Sequence, residues 1–227
     1  MAKGPERGIE YHMRLNDILA RVAEERTEPR RLGPWLTLSR QAASGGAEIA
    51  RRVADQLGWS LLGRELVESL AERLDLSPKM LELMDETSSN WFRDTLLHLF
   101  EPRLVEQPSY VTKLSKVMLL AACDGRVVLL GRGANFVLGR ENGLRVLVVA
   151  PRELRVAHLE ERLGLDRRTA ERRLDELDEN RHDFIHRHFH ADVNHPDHYD
   201  LVLDASTFGP DGATDLICAA VRDHLAT

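Results

Sequence analysis

The sequence predicts an α/β protein whose core is a five-stranded, parallel, doubly wound sheet, and three observations lead there. Residues 127–131 (Val-Val-Leu-Leu-Gly) and 144–149 (Leu-Arg-Val-Leu-Val-Val) are almost continuously apolar, as expected of strands buried on both faces. Such runs alternate with stretches of helical periodicity, five strands in all. Near residue 35 an apolar run ends in a Ser/Gly turn that opens into a helical pattern, which reads as strand, loop, helix.

In chain order, residues 1–34 form an N-terminal extension and linker. Tyr11, Leu15, Ile18, Leu19 and Val22 make an amphipathic stripe at helical spacing. Arg and Glu mix on its polar face, which suits packing against the body or a sister subunit better than a membrane surface. The α/β domain is expected over 35–227. Its first strand, Trp35-Leu36-Thr37-Leu38-Ser39-Arg40, leads through the turn into a helix marked by Ile49, Ala50, Val53, Ala54 and Leu57 that stops at Gly58. Residues 59–62 are a second apolar run, so a right-handed βαβ start is expected. Residues 64–124 contain no convincing strand and read as a helical insertion. It holds a helix over 64–74, a start at Ser77-Pro78 and a long apolar helix over 109–122. After the strands at 127–131 and 144–149, Pro151 opens a helix. The charged stretch 166–190 follows, with sparse apolar positions at Ala170, Leu174, Leu177, Phe184, Ile185 and Phe189, so one face packs and the rest is solvated or meets a charged ligand. The last strand, 201–203, lies between Asp200 and Asp204, and a final helix over 211–225 follows Pro210.

The 227 residues are 43% apolar and 30% charged, the composition of an ordinary globule long enough to bury a full core. A formal net charge of -6 gives no support to a general nucleic-acid or membrane-surface role. The two cysteines, Cys123 and Cys218, lie in apolar helical contexts and are expected as buried free thiols in a reducing compartment. No leader-like start and no spanning apolar run is seen, so a cytoplasmic location is expected.

Chemistry concentrates in the turn Ser39-Arg40-Gln41-Ala42-Ala43-Ser44-Gly45-Gly46-Ala47-Glu48. Small residues free backbone N–H groups there, and the positive end of the following helix dipole favours an anion. A standard phosphate loop places Lys and then a hydroxyl at the helix start. Here Gly46 stands at the Lys position and Ala47 or Glu48 at the hydroxyl position. The residues by themselves leave two readings open, a phosphate loop and a plain tight strand-to-helix turn.

The order of these features adds a family likeness. The Gly-rich turn is followed by Leu57-Gly58-Trp59-Ser60-Leu61-Leu62, then Leu130-Gly131-Arg132-Gly133, then residues 144–150, an Arg-rich helical stretch with Asp178-x-x-Arg181, and Tyr199-Asp200-Leu201-Val202-Leu203-Asp204. The chain from Trp35 onward resembles the nucleoside monophosphate kinases, and most closely the cytidylate kinase-like family, whose loop also lacks the Lys. The resemblance implies a P-loop nucleotide kinase-like fold, with residues 64–124 on the acceptor side and 152–198 as a helical lid. It implies ATP binding at Ser39, Arg40, Ser44, Gly45, Gly46, Ala47 and Glu48. Arg132 would hold the acceptor monophosphate and Arg181 would clamp a phosphate, while Asp178 orients Arg181 or helps hold nucleotide. Arg40 is the nearest fixed cation to replace the absent Lys. Arg155 and Arg162, seven apart on one helix face, either present guanidinium groups toward the lid mouth or pair with Glu153, Glu160 or Glu161. Arg172 and Arg173 read as solvated. Magnesium is expected to travel with the nucleotide, helped by a carboxylate such as Asp85 or Asp204.

Some positions depart from the family pattern. Ala43 replaces a loop Gly, Ala47 stands where relatives often carry a cation, and Gly63 stands where cytidylate kinases usually show Asp. Ala at a position needing positive φ is strained. Six of the ten histidines fall between His182 and His198, and His182, His186 and His190 share a helix face at a spacing that binds transition metals. No Cys or Glu-x-x-His partner accompanies them, so substrate contact or a solvated face is the preferred reading and no metal site is assigned. Protonated histidines there would make lid closure on phosphates depend on pH. The expected function is transfer of the ATP γ-phosphoryl group to a nucleoside monophosphate such as CMP or a similar small acceptor. Its rivals are an inactive nucleotide-binding or regulatory module and a structural dimer. Nucleic acid and membrane are not expected partners, and a homodimer stays open.

Overall fold

The computed structural model describes residues 32–63, 67, 110–140 and 142–226. The N-terminal stripe, most of the helical insertion and Asp85 lie outside them. Strand β1 (Trp35–Arg40) leads into α1 (Gly46–Leu57), which ends at Gly58 in the left-handed conformation, and β2 (Ser60–Leu62) follows. Helix α2 (Tyr110–Asp124) precedes β3 (Val127–Leu130), the single turn α3 (Ala134–Val137) and β4 (Gly143–Val149). Helices α4 (Arg152–Leu163) and α5 (Arg167–Phe189), a short turn Pro196–His198, β5 (Leu201–Asp204) and α6 (Ala205–Ala226) complete the chain.

All strand pairs are parallel, in the order β2-β3-β1-β4-β5. The five-stranded doubly wound sheet of the sequence reading is therefore present. Strand β1 is central: Leu38 pairs with Leu130 of β3 on one side and with Val146 of β4 on the other. From β1 the chain winds outward to β2 and returns to β3, and from β3 it crosses β1 to reach β4. The carboxyl ends of β1 and β3 thus flank a point where the winding reverses, and open α/β sheets bind ligands in such a crevice.

The period-two alternation of strand side chains explains the two cores. Trp35, Val127 and Leu129 face α2 and α3, where Leu114, Val117, Met118, Ala134 and Val137 cover them. Leu36, Leu38, Val128 and Leu130 face the opposite way, onto Ile49, Ala50 and Val53 of α1 and Ile217 and Val221 of α6. A third cluster joins Ala42 of the loop after β1 to Val156 and Leu159 of α4 and Ala170 and Leu174 of α5. Asp166 starts α5 by accepting from the Thr169 amide at 3.1 Å, which is why that charged stretch begins where it does.

One part of the helical reading needs correction. Helix begins at Ala205, directly behind β5, and breaks at Gly209 (φ 64, ψ 173) before the expected run after Pro210. Asp204 caps this extra turn, its Oδ1 accepting from the Ser206 amide at 2.8 Å and the Ser206 hydroxyl at 2.7 Å. The two cysteines form no disulfide with each other; Cys218 is buried and Cys123 half-buried. No helix of the described residues is long and apolar enough to cross a membrane.

At the opposite end of the sheet from the crevice, Arg145 of β4 and Asp200 before β5 form a fork. Arg145 donates through Nε at 3.0 Å, Nη2 at 2.6 Å and its backbone N–H at 2.9 Å. Burial by itself raises the Asp200 pKa, but the bonds and charge of Arg145 outweigh it and hold the carboxyl below its ordinary 3.8. A depressed carboxylate stabilises the fold above its unfolded pKa, and that contribution is lost as pH falls below 3.8 toward the folded value. Asp200→Asn is expected to cost about 2 kcal/mol at pH 7 by denaturant unfolding, the worth of a charge-assisted bond. The difference from the native chain shrinks as the unfolding is repeated at pH values below 3.8.

Candidate functional site

The loop leaving β1 folds back under constraints that its small residues meet. The Gln41 amide donates to Val148 O at 3.0 Å, and Gln41 Oε1 accepts from the Ala150 amide at 3.2 Å, which extends the β1–β4 pairing past the strand end. The Ser44 hydroxyl donates to Gln41 O at 3.0 Å and closes the turn. Ala43 lies in the left-handed region at φ 58, an unfavourable place for a residue with a Cβ, and Gly45 reaches φ 80 as the residue before α1. No side chain caps α1. The amides of Glu48 and Ile49 turn back to Gly45 O, whereas those of Gly45, Gly46 and Ala47 meet no acceptor among the described residues. A helix start without a side-chain cap offers an anion the positive end of the dipole and several backbone donors, the general physics of anion sites.

Cations gather beside this cradle. The Arg40 side chain passes Gly46 so closely that a Cβ there would sit 2.6 Å from Arg40 Cβ. Its guanidinium ends where a Cβ on Gly131 would stand, so the Gly at 131 (φ 76) admits it between the loop and the turn after β3. In that turn Gly131, Arg132 and Gly133 are all left-handed, and Arg132 lies with its guanidinium carbon 5.1 Å from the Phe184 ring centroid of α5. Phe184 and Phe189 of α5 and Phe136 of α3 make a ring cluster over the turn, with Phe136 and Phe189 stacked at 5.3 Å. On α5, Asp178, Arg181 and Phe184 follow at spacing three and form one row. Asp178 meets the β1 loop and Phe184 meets Arg132, so the row brings Arg181 to the mouth between them. Arg181 Nη1 donates to Leu177 O at 3.0 Å and stands 4.0 Å from Asp178.

The sequence pattern of the cytidylate kinase-like family matches residues 35–207, the span from β1 to the start of α6. The chain belongs to the cytidylate kinase-like family. It is 25% identical over 192 residues to a cytidylate kinase of Thermococcus sibiricus, covering 84% of this chain and 88% of that one. It is 24% identical over 196 residues to a cytidylate kinase of Pyrococcus furiosus, with the same coverage. In structure it is similar to an uncharacterized protein from Eubacterium ventriosum, with TM-score 0.68 and 18% identity over 84% of this chain and 98% of that one, a likeness of fold.

The positions singled out in the sequence fall into three groups. Arg40, Ser44, Gly45, Gly46 and Ala47 lie in or beside the turn after β1, Arg132 lies in the turn after β3, and Arg181 lies on α5. Ser39 is buried at the end of β1, its hydroxyl 3.4 Å from Asn135 Oδ1. Glu48 sits on the outer side of α1, where side-chain bonds from Arg51 and Arg52 pull its pKa down to about 2. Arg155 is buried behind the loop, its Nη1 2.6 Å from Asp178 Oδ2. Arg162, two turns further along α4, is exposed, so the shared helix face does not bring these two arginines to one ligand. Arg172 and Arg173 are exposed, Arg173 paired with Glu176. His182 and His186 stack at 5.9 Å on α5, while His190 leaves the helix in the left-handed region. Among the described residues no group of three metal-ligating side chains forms. Burial pushes the pKa values of His188 and His198 down, so these two are neutral at pH 7 and add no cation.

Sequence reasoning missed Gln41, Asn135 and His158. Gln41 belongs to the quoted loop, but its amide carries no charge to attract notice. Asn135 is 4% exposed, and its Nδ2 has no hydrogen-bond partner among the described residues. His158 reaches Ala43 O from α4, a contact over 115 positions that no local pattern announces.

Gly46→Ala sets a Cβ against Arg40 and 3.3 Å from Val148 Cβ. It is expected to destabilise the protein by about 1–3 kcal/mol in denaturant unfolding, the range of overpacking. Gly63→Ala, where a Cβ meets nothing within 4 Å, stays within about 0.5 kcal/mol of the native chain.

Proposed function

We propose that the protein is a nucleotide kinase that binds ATP with its phosphates in the 41–47 cradle and transfers the γ-phosphoryl group to a nucleoside monophosphate, CMP being the first candidate. The observation that carries this reading is the uncapped start of α1, with three amides that meet no acceptor among the described residues beside Arg40, at the crevice between β1 and β3. Transfer of a phosphoryl group asks mainly for positioning and charge neutralisation, and this crevice supplies both. An acceptor phosphate oxygen attacks the γ-phosphorus, the bond to the β-phosphate oxygen breaks, and ADP carries away the electron pair. Arg40 takes the place of the missing Lys against the outer phosphates. Arg132 holds the acceptor phosphate, and Arg181 spans the mouth where the equatorial oxygens gain charge. The relatives named as cytidylate kinases support a pyrimidine monophosphate acceptor.

Magnesium enters as part of the ATP substrate in this reading. Asp204 and Asp178 are committed elsewhere, the first capping α6 and the second bonded to Arg155 and the loop. Ala47 replaces the hydroxyl that would complete a site for the ion. The second reading, a nucleotide-binding module without turnover, is favoured by one feature, the Ala43 left-handed strain in a loop without Lys. We assign the site to the cytosol, where ATP and nucleoside monophosphates are held.

The test is a coupled assay of ATP turnover with CMP, dCMP, UMP, AMP and GMP. Acceptor-dependent turnover is expected, falling roughly 100- to 1,000-fold in Arg132→Ala, the loss typical of one positioned charge donor. ATP-dependent thermal stabilisation without turnover for any acceptor establishes the module reading instead.

A further inference from the structure

Helices α4 and α5 occupy the place of a lid, yet their side chains are bonded to the phosphate loop itself. Asp178 Oδ1 of α5 accepts from the Ala42 amide at 3.0 Å, and Asp178 Oδ2 accepts from Arg155 Nη1 of α4 at 2.6 Å. The same Nη1 lies 3.3 Å from Ala42 O, and His158 Nδ1 lies 2.9 Å from Ala43 O. Arg155 is 7% exposed and Ala42 fully buried in the apolar cluster that the two helices share with the loop. Both backbone polar groups of Ala42 and the carbonyl of Ala43 are thereby engaged from outside the loop. Ala43 is the residue that needs holding, because L-residues at φ 58 lie roughly 1–2 kcal/mol above the right-handed region.

We infer that α4 and α5 form a buttress that imposes the shape of the phosphate loop, with Arg155, Asp178 and His158 as positioning residues that serve its backbone. The inference rests on the reading of this loop as a phosphate cradle. Where a glycine would adopt the turn unaided, this chain spends three side chains to hold an alanine in it. Ala42 and Ala43, tied down in this way, and Ser44, bonded to Gln41 O, fix the path of the chain into Gly45, Gly46 and Ala47. Removing Asp178 leaves the buried Arg155 guanidinium without its carboxylate, which destabilises the contact that holds the loop.

The experiment follows amide hydrogen exchange across 40–48 in the full-length protein, together with binding of ATP and of inorganic tripolyphosphate. Asp178→Ala is expected to speed loop exchange about tenfold or more, with exchange at 127–130 unchanged, and to weaken both ligands about tenfold. His158→Ala, an exposed side chain whose loss leaves the core intact, gives the same pattern with a smaller effect. Adding Ala43→Gly to either variant restores about fivefold of the affinity, since glycine adopts this φ without penalty. Asp200→Asn, which weakens the half-buried fork with Arg145 far from the loop, lowers stability and leaves loop exchange and ligand affinity unchanged. Loop exchange in Asp178→Ala and His158→Ala equal to that of the native chain overturns the inference. Faster loop exchange with unaltered affinity overturns it as well. A native chain that binds neither ligand removes the cradle reading, and loop exchange in the variants still decides whether the buttress exists.

Discussion

Strand β1 is hydrogen-bonded on both edges, and the rest of the molecule is arranged by that fact. A strand with β3 on one side and β4 on the other has no edge left to place at the surface, so its exit must run over the carboxyl end of the sheet. The register then decides what stands there. Leu38 level with Leu130 brings the loop after Arg40 alongside the turn 131–133, and Arg40 level with Val148 brings it under the start of α4. The loop is consequently enclosed by two other chain segments, both distant in sequence. Non-local pairing of this kind makes the site a property of the assembled sheet.

Electrostatics at the crevice follows from a division of labour. The helix dipole and the uncapped amides of α1 supply fixed partial charge that requires no side-chain order. Full charges come from arginines on three separate elements: Arg40 at the end of β1, Arg132 after β3 and Arg181 on α5. Arg40 is held between Gly46 and Gly131, and Arg132 stands over an aromatic ring, so both cations are placed by packing. Preorganisation of this type lowers what must be spent on ordering when an anion arrives. The net negative charge of the chain does not oppose it, because the acidic side chains nearest the loop are already committed. Glu48 answers Arg51 and Arg52, and Asp178 answers Arg155 and the Ala42 amide.

The helix pair α4–α5 shows how one stretch serves two tasks. Its apolar positions Val156, Leu159, Ala170 and Leu174 pack on Ala42, and Phe184 and Phe189 pack over the β3 turn. Its polar positions hold the loop on one side and bring Arg181 to the mouth on the other. Sparse apolar residues in a very charged helix are therefore sufficient, since each marks a contact with a different part of the site.

By itself the sequence determined the five strands, their order and most of the helices between them that the structure describes, because these follow from local periodicity: apolar runs at 127–131 and 144–149, and a helical stripe that stops at Gly58. It also determined the likeness to the cytidylate kinase-like family, through the order and spacing of its motifs. What the tertiary structure decided is which charged residues belong to the turn after β1. Arg155 and Arg162 are equivalent in sequence, seven apart on one helix, yet one is buried against Asp178 and the other stands in solvent. Glu48, read from the sequence with the cradle, is bonded to Arg51 and Arg52 one turn along its own helix. His158 and Asn135 carried no local signal at all. The physical reason is common to all of them: a side chain's role is set by what it meets across the fold, and periodicity reports only the face on which it starts.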